Sequence, residues 1–584
     1  MSRPSRWNWL LVLPLLVSLV VSFDVLSTMA ARLTYPYDLE WMEGGVLAHA
    51  WRALHGKSIY PNPGPDFVPM VYTPGYYWLV AALGKVFGIG YTLGRGVSIA
   101  GTLSACAAIL WGTHRWTGRA PLGLVGVAIF LGAYESSGAF YDLVRPDALA
   151  MGLLAWTLVM APDERASRQA GAAVMLFLAF TVKHNTAAFG VPVALGLWAM
   201  HGWRSALRFA VIAAVPALLF VGAMQLSTGG NFLTYIVGVP ASHPIMWDRA
   251  LPGSVRELGH ALPATCAILS MWFLAVGPRA VPNAPAPLLV VVPMVGAGAA
   301  IWALLGMPEV PGLMPFPAAE SATAYALVGV VATALPLTLA AMLLTRRVDG
   351  SWIYGFGVVA MSMVTAFIMR AHHGGFINVF IPMHFVLACA TVLAIADALE
   401  SLPGRAAPLA ALLGLAQPIQ AWSGFQLDRL VPTAADKAAG DSMVEYLKTI
   451  DGPILSPYAP WLPVQAGHDP HFHLISLWDI DHKGGPFMES GRLINQSIAK
   501  GRWAAIVDAE RGMGHGVKYA YHVDKRFNFG GNGVFMAKTG WRQRPSVVWL
   551  PGRDTTPSGA VRANRIEDDA GNQDEQDNPS EQQP

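Results

Sequence analysis

Apolar residues in this chain are gathered into long blocks rather than spaced along one helical face. Thirteen blocks lie near 9–31, 96–112, 120–134, 147–161, 170–182, 185–200, 209–226, 262–277, 286–306, 323–344, 352–369, 377–398 and 405–421. Segments apolar on every side predict membrane-spanning helices, which need about 20 residues to cross the hydrocarbon. The shorter blocks must extend into their flanks or tilt little. The first block follows Arg3 and Arg6 and is long for the core of a signal peptide, so an uncleaved first span is expected.

One segment decides the topology. Residues 76–90 are apolar but only about fifteen long, and they carry Lys85. If this segment crossed the bilayer, every later loop would change sides. Taken instead as a helix lying in the interface, it gives cytoplasmic loops that hold Arg3, Arg6, Arg115, Arg119, Arg165, Arg168, Arg204, Arg208, Arg279, Arg346, Arg347 and Arg405. The opposite side then carries about ten Lys or Arg in roughly 140 residues, so the positive-inside rule favours the interfacial helix. The N-terminus is then cytoplasmic, and everything after about Phe425 is extracytoplasmic.

That last region alternates differently. Helices are expected over 441–450 and 492–500, and strands over 453–455, 503–507 and 533–538. From about Arg553 the chain turns acidic and rich in Asn, Gln and Pro, as disordered tails are. The expected fold is a polytopic all-α membrane protein of about 13 transmembrane helices. It has a large first extracytoplasmic loop and a small C-terminal α/β extracytoplasmic domain. The divisions are 1–425 (with the loop at 32–95 and the interfacial helix at 76–90), 426–550 and 551–584.

Composition agrees. The 584 residues are 54% hydrophobic and only 13% charged, against about 25% charged in soluble domains. A net charge of +2 without a basic stripe excludes nucleic acid as a partner. Cys106, Cys266 and Cys389 all sit in apolar blocks, which excludes a disulfide framework or a CxxC metal site.

Candidate chemistry sits in the outer loops. Asp38, Glu40 and Glu43 fall within six residues just past the first span, interleaved with Tyr37 and Trp41. Acids there can cap a helix, or, in a partly dehydrated aromatic setting, act as bases or hold a cation. Asp142 and Asp147 bracket Arg145 before a span, with Pro146 in its first turn. That group reads equally as a capped helix start with a snorkelling Arg145, or as an acidic pair with a phosphate-binding arginine. Arg370, His372 and His373 precede a Gly pair. Adjacent histidines point in different directions, so a structural loop competes with phosphate binding, and a shared metal is disfavoured. Lys183 with His184 either meets an anionic headgroup or anchors its helix. His468, Asp469, His471 and His473 read best as a polar loop. Asp24 is the main charge inside a span.

The order of four features resembles the GT-C superfamily of membrane glycosyltransferases, in the branch with protein O-mannosyltransferases, the lipid A aminoarabinose transferase and RgtA/B/C/D-like proteins. They are Asp38-Leu39-Glu40 after the first span; Ala50 to Tyr60, similar to a helix-Gly-Tyr stretch; Tyr72-Thr73-Pro74-Gly75-Tyr76-Tyr77-Trp78-Leu79, where a Pro-Pro-Leu-Tyr-Tyr-Trp-like motif is common; and Arg145-Pro146-Asp147. The match covers roughly residues 1–200. Two departures stand out: Leu39 separates the acids that are often adjacent in the family, and Gly75 replaces the second proline.

The resemblance implies transfer of a sugar from a polyprenyl-phosphate donor to an envelope glycan, lipid or protein acceptor at the outer face of the plasma (inner) membrane. No nucleotide sugar is involved. By position it makes Asp38 the base, with Glu40 or Glu43 in reserve. Arg145, Lys183 and Arg370, with His372 and His373, would meet the phosphate, and Tyr72 would cover the sugar or lipid. Asp142 and Asp147 would orient the base or acceptor, or hold a divalent cation (Mg or Mn) with Asp38. Two other classes compete. A transporter or flippase of lipid-linked sugars would need ionisable groups along a path through the bilayer, and a non-catalytic envelope scaffold would tolerate loss of Asp38.

Overall fold

A computed structural model describes residues 11–247, 249–269, 272, 350–401, 406–509, 512, 516–531 and 533–552. The expected spans at 286–306 and 323–344, most of the tail, and Arg3, Arg6, Arg279, Arg346, Arg347 and Arg405 lie outside them. The described chain is mostly helical. Its first nine long helices are α1 (Val12–Leu33), α2 (Glu43–Leu54), α3 (Gly75–Phe87), α4 (Tyr91–Thr117), α5 (Leu122–Gly132), α6 (Pro146–Met160), α7 (Ala166–Val182), α8 (Gly190–His201) and α9 (Trp203–Ser227). Later helices include Gly350–Ala371, Ile381–Ser401 and Ala406–Gly424.

Among the described residues, five helices are long and apolar enough to cross a membrane: Val12–Leu33, Tyr91–Thr117, Trp203–Ser227, Gly350–Ala371 and Ile377–Glu400. Three shorter apolar ones coincide with α5, α6 and α7. Their outer faces stay apolar. Leu13, Leu16, Leu218, Leu219, Leu226 and Ile368 are each more than half exposed, a surface that suits lipid rather than water. Asp24 accepts a hydrogen bond from the Trp422 indole at 3.0 Å, which links α1 to Ala406–Gly424.

Small residues let the central helices touch. A Cβ on Gly101 of α4 would lie 2.5 Å from the Ala148 carbonyl of α6, and one on Gly152 would lie 2.5 Å from the Gly101 carbonyl. Such backbone contact is how helices associate when lipid removes the hydrophobic incentive. α6 also packs on α7, and α1 packs on α5 and Ala406–Gly424. α3 has thirteen residues, about 20 Å of rise and too little for the bilayer core. It buries Tyr76, Tyr77 and Val80 and exposes Trp78, Val86 and Phe87.

The C-terminal segment builds a four-stranded sheet in the order β1-β2-β4-β3 from β1 (Ile454–Leu455), β2 (Ala505–Ala509), β3 (Tyr521–Arg526) and β4 (Pro545–Pro551). β1 runs parallel to β2, while β4 is antiparallel to β2 and β3. Helices Ala434–Leu447 and Met488–Ala499 match the expected positions within several residues. The strand expected at 533–538 is absent. Phe535 takes φ 58°, and the segment's amides turn away from the sheet: Phe535 N–H donates to Asp436 and Lys538 N–H to the Leu39 carbonyl.

Candidate active site

The first loop is held by a buried knot at Glu43. Its carboxylate accepts from Arg95 Nε (3.0 Å) and Nη2 (2.7 Å), and from the amides of Leu39 (2.6 Å) and Val144 (2.8 Å). Arg95 in turn donates to the carbonyls of Arg32, Tyr35 and Tyr37. One ion pair thus ties α4 to the loop after α1 and to the loop before α6, with every oxygen of Glu43 occupied by structure. Asp142 plays a similar part: Arg32 Nε stands 3.1 Å from it and Tyr134 donates to it at 2.9 Å. Neither Glu43 nor Asp142 lines the large cavity.

That cavity holds about 1690 Å³ between the loops around Glu40 and Arg145 and the C-terminal segment. Among the described residues its wall carries nine Lys or Arg (145, 183, 249, 256, 370, 429, 538, 542 and 544) against Glu40, Glu135, Glu257 and Asp479. A concave wall with that excess of cations concentrates anions.

Glu40 is the first-loop acid on this wall, and it is 2% exposed. Arg145 Nη1 lies 3.4 Å from its Oε2, and the Met42 amide donates to the same oxygen at 3.3 Å. Burial outweighs the arginine and pushes the Glu40 carboxyl up to about 7. Segment 538–540 closes over it. Residues Glu40 and Thr539 form a parallel bridge, and the Thr539 hydroxyl donates to the Gly138 carbonyl at 2.6 Å.

Asp38 is turned elsewhere. It lines a separate pocket of about 20 Å³ and accepts from the Gly44 amide (2.8 Å) and the Tyr91 hydroxyl (2.9 Å). Desolvation, helped by Glu43, raises its carboxyl well above the ordinary range. The three first-loop acids therefore occupy three settings, and the structure brings only Glu40 to the cavity.

Arg145 caps α6 from an extended backbone, with Pro146 in the first turn. It donates to the Tyr72 hydroxyl at 2.8 Å. Its Nε stands 4.0 Å from Asp147 Oδ2, and neither atom makes a hydrogen bond to the described residues. Lys183, at the end of α7, reaches Asp147 Oδ1 at 2.6 Å, and Asn378 donates to the same oxygen at 2.7 Å. Tyr72, Arg145 and Lys183 all line the cavity.

Arg370, His372 and His373 line it too, on another stretch of wall. Arg370 is committed to Glu257 (2.7–3.1 Å) and to the Gly375 carbonyl (2.7 Å), which leaves little of its fork for a ligand. His372 Nε2 lies 3.2 Å from His243 Nδ1 and 3.2 Å from the Pro240 carbonyl. Burial lowers the His373 imidazole to about 4.

The residues expected to share a divalent cation do not fit one. Asp38 faces Tyr91, Asp142 faces Arg32, and Asp147 faces Lys183 and Asn378. Among the described residues no group of three or more His, Cys, Asp or Glu could hold a metal ion. The loop reading of His468, Asp469, His471 and His473 is refined at one member: buried His473 accepts from the Ile475 amide and holds the Trp41 carbonyl. Sequence reasoning missed His243, Asp479, Lys538, Trp541 and Arg542. They reach the cavity from far along the chain, and the Trp-Arg-Gln-Arg run at 541–544 was the one local signal for them.

No family model matches the chain, and no curated protein matches it. Among solved structures, the chain is similar to ArnT from Cupriavidus metallidurans bound to undecaprenyl phosphate. The identity is 14% and the TM-score 0.43, over 94% of this chain and 99% of that one. The apo state of the same protein is similar at 14% identity and a TM-score of 0.42, over 92% and 97% of the two chains.

Proposed function

We propose that this chain is an integral-membrane glycosyltransferase that moves a sugar from a polyprenyl-phosphate donor to an acceptor outside the cytoplasm. One observation carries the reading. A buried carboxyl poised near neutrality, Glu40, stands 3.4 Å from Arg145 on the wall of a cation-rich cavity beside apolar helices. A base and a phosphate-binding cation side by side are what transfer from a lipid phosphate requires.

In this reaction an acceptor hydroxyl attacks the anomeric carbon and forms the new C–O bond. The bond from that carbon to the phosphate oxygen breaks, and its electron pair leaves with the lipid phosphate. Glu40 takes the hydroxyl proton. Arg145 offers the leaving phosphate its guanidinium charge, and Lys183 adds a second charge on the same wall. Asp147 holds these two cations in place. Asp38 fixes the start of α2 and Glu43 fixes the loop. The N-terminus lies in the cytoplasm and the C-terminal segment outside, with α3 in the interface.

The test is a transfer assay in nanodiscs with radiolabelled polyprenyl-phosphate sugars and a membrane extract as acceptor. Wild type should move label off the lipid, Glu40→Gln should not, and Asp38→Asn should retain part of the activity. Equal transfer by Glu40→Gln would overturn the assignment of the base. If folded wild type bound the lipid and never consumed it, the flippase reading would replace the enzyme.

A further inference from the structure

Three indoles meet on the cavity wall. Trp41 and Trp541 have ring centroids 4.7 Å apart at an interplanar angle of 88°. Trp478 lies 5.1 Å from Trp541 and 6.1 Å from Trp41. All three line the cavity. Trp41 is buried, while Trp478 and Trp541 pack against it and keep part of their surface exposed.

The cluster is held from three directions. His473 accepts from the Ile475 amide through Nδ1 (3.1 Å), which leaves Nε2 to donate to the Trp41 carbonyl (2.8 Å). This one imidazole caps the helix Leu474–Ile480 that carries Trp478 and also grips Trp41. Trp541 follows directly on Gly540, which touches Glu40. The wall therefore starts beside the carboxyl that takes the proton. Asp479, next to Trp478, and Gln543 add polar groups to the same wall.

We propose that Trp41, Trp478 and Trp541 form a carbohydrate subsite for the acceptor, so that the acceptor is a glycan whose hydroxyl reaches Glu40. A sugar ring has an apolar C–H face that packs on an indole, and hydroxyls at its edge that need polar partners. This wall offers both. The donor's phosphate is drawn instead to Arg145 and Lys183, and two of the three indoles come from the C-terminal segment. The role as acceptor site rests on the transferase reading, but sugar binding can be measured without turnover.

The experiment is saturation-transfer NMR on the full chain in nanodiscs, with methyl pyranosides and furanosides of the common hexoses and pentoses as probes. Wild type should transfer saturation to ring protons of at least one glycoside. Trp541→Ala and Trp478→Ala should each weaken that binding roughly tenfold. Trp541→Phe, which keeps an aromatic face and guards against misfolding, should retain part of it, and Trp198→Ala, on the outer surface of α8, should retain all of it. Binding by no glycoside, or equal binding by the alanine variants, would overturn the proposal. So would displacement of the glycoside by a polyprenyl-phosphate sugar, which would assign the wall to the donor. None of these readouts depends on catalysis, so failure of the transferase reading shows separately, as absent transfer by a protein that still binds glycosides.

Discussion

Gly540 backs the carboxylate of Glu40: a Cβ at Gly540 would stand 2.8 Å from both Cγ and Oε1 of that residue. The glycine also has φ +70°, a conformation L side chains rarely adopt. Gly540→Ala should therefore displace Glu40 and cut transfer by roughly tenfold or more, as small misplacements of catalytic groups do. Gly530 separates the two causes, because its φ is +76° and nothing stands within 4 Å of its Cβ position. Gly530→Ala carries the backbone strain alone and should transfer at the wild-type rate. Comparing initial rates of the two variants at equal folded protein decides the point.

Glu40 should set the pH dependence. With its carboxyl near 7 rather than 4.5, the base form is lost on the acid side. The rate should rise through about pH 7, and above that pH Glu40→Gln should lose roughly 10²–10⁴-fold, a gap that narrows on the acid side. Stability moves the other way. The folded state holds this proton more tightly than the unfolded one, so the contribution is fully present below pH 4.5 and is lost as the pH rises through 7. Melting curves at pH 5.5 and 8.5 should show Glu40→Gln gaining on wild type at the higher pH. Equal differences at both would show that the carboxyl titrates elsewhere.

Loss of Glu43 should look different. Arg95 and Glu43 are both fully buried and bonded through two nitrogens to two oxygens. Removing one partner of such a pair strands a charge and costs about 3–5 kcal/mol. Glu43→Gln should lower the melting temperature and the yield in detergent. Glu40→Gln should do neither at neutral pH, although both acids sit in one short motif. A Glu43→Gln protein as stable as wild type but inactive would return Glu43 to the chemistry.

The contrast between these acids shows what the sequence made legible. The motif was visible, because three acids among aromatics just past an apolar block are rare on a bland surface. Their division of labour was not. It depends on Arg95 reaching down from α4 and on Gly540 arriving from five hundred residues later, and neither leaves a local pattern. Arg145 and Lys183 were legible as charges at helix ends. Arg370 was legible for the same reason, but its partner Glu257 lies in a helix that hydropathy does not mark. The strands β3 and β4 were missed because Tyr521–Arg526 is a polar edge and prolines bound Pro545–Pro551. The 533–538 run read as a strand on its residues, and its hydrogen bonds to Asp436 and Leu39 overrode that.

In the proposed reaction Arg145 links the base to the phosphate site, and its replacement should affect both. Its positive charge is the main influence holding the Glu40 carboxyl down against burial. Without it the carboxyl should rise further, and the acid limb of the rate profile should move to higher pH. Arg145→Lys keeps the charge but loses the planar fork that meets Tyr72, Glu40 and Met42. The lysine variant should therefore leave the limb near 7 while weakening donor use, seen as a higher KM for the lipid-linked sugar. Arg145→Ala should do both. Lys183→Ala, with its ammonium on Asp147 rather than on Glu40, should raise the donor KM without moving the limb. Profiles from pH 5.5 to 9 for the three variants separate these outcomes. A limb that stays fixed in Arg145→Ala would mean that the titrating group is not the carboxyl beside it.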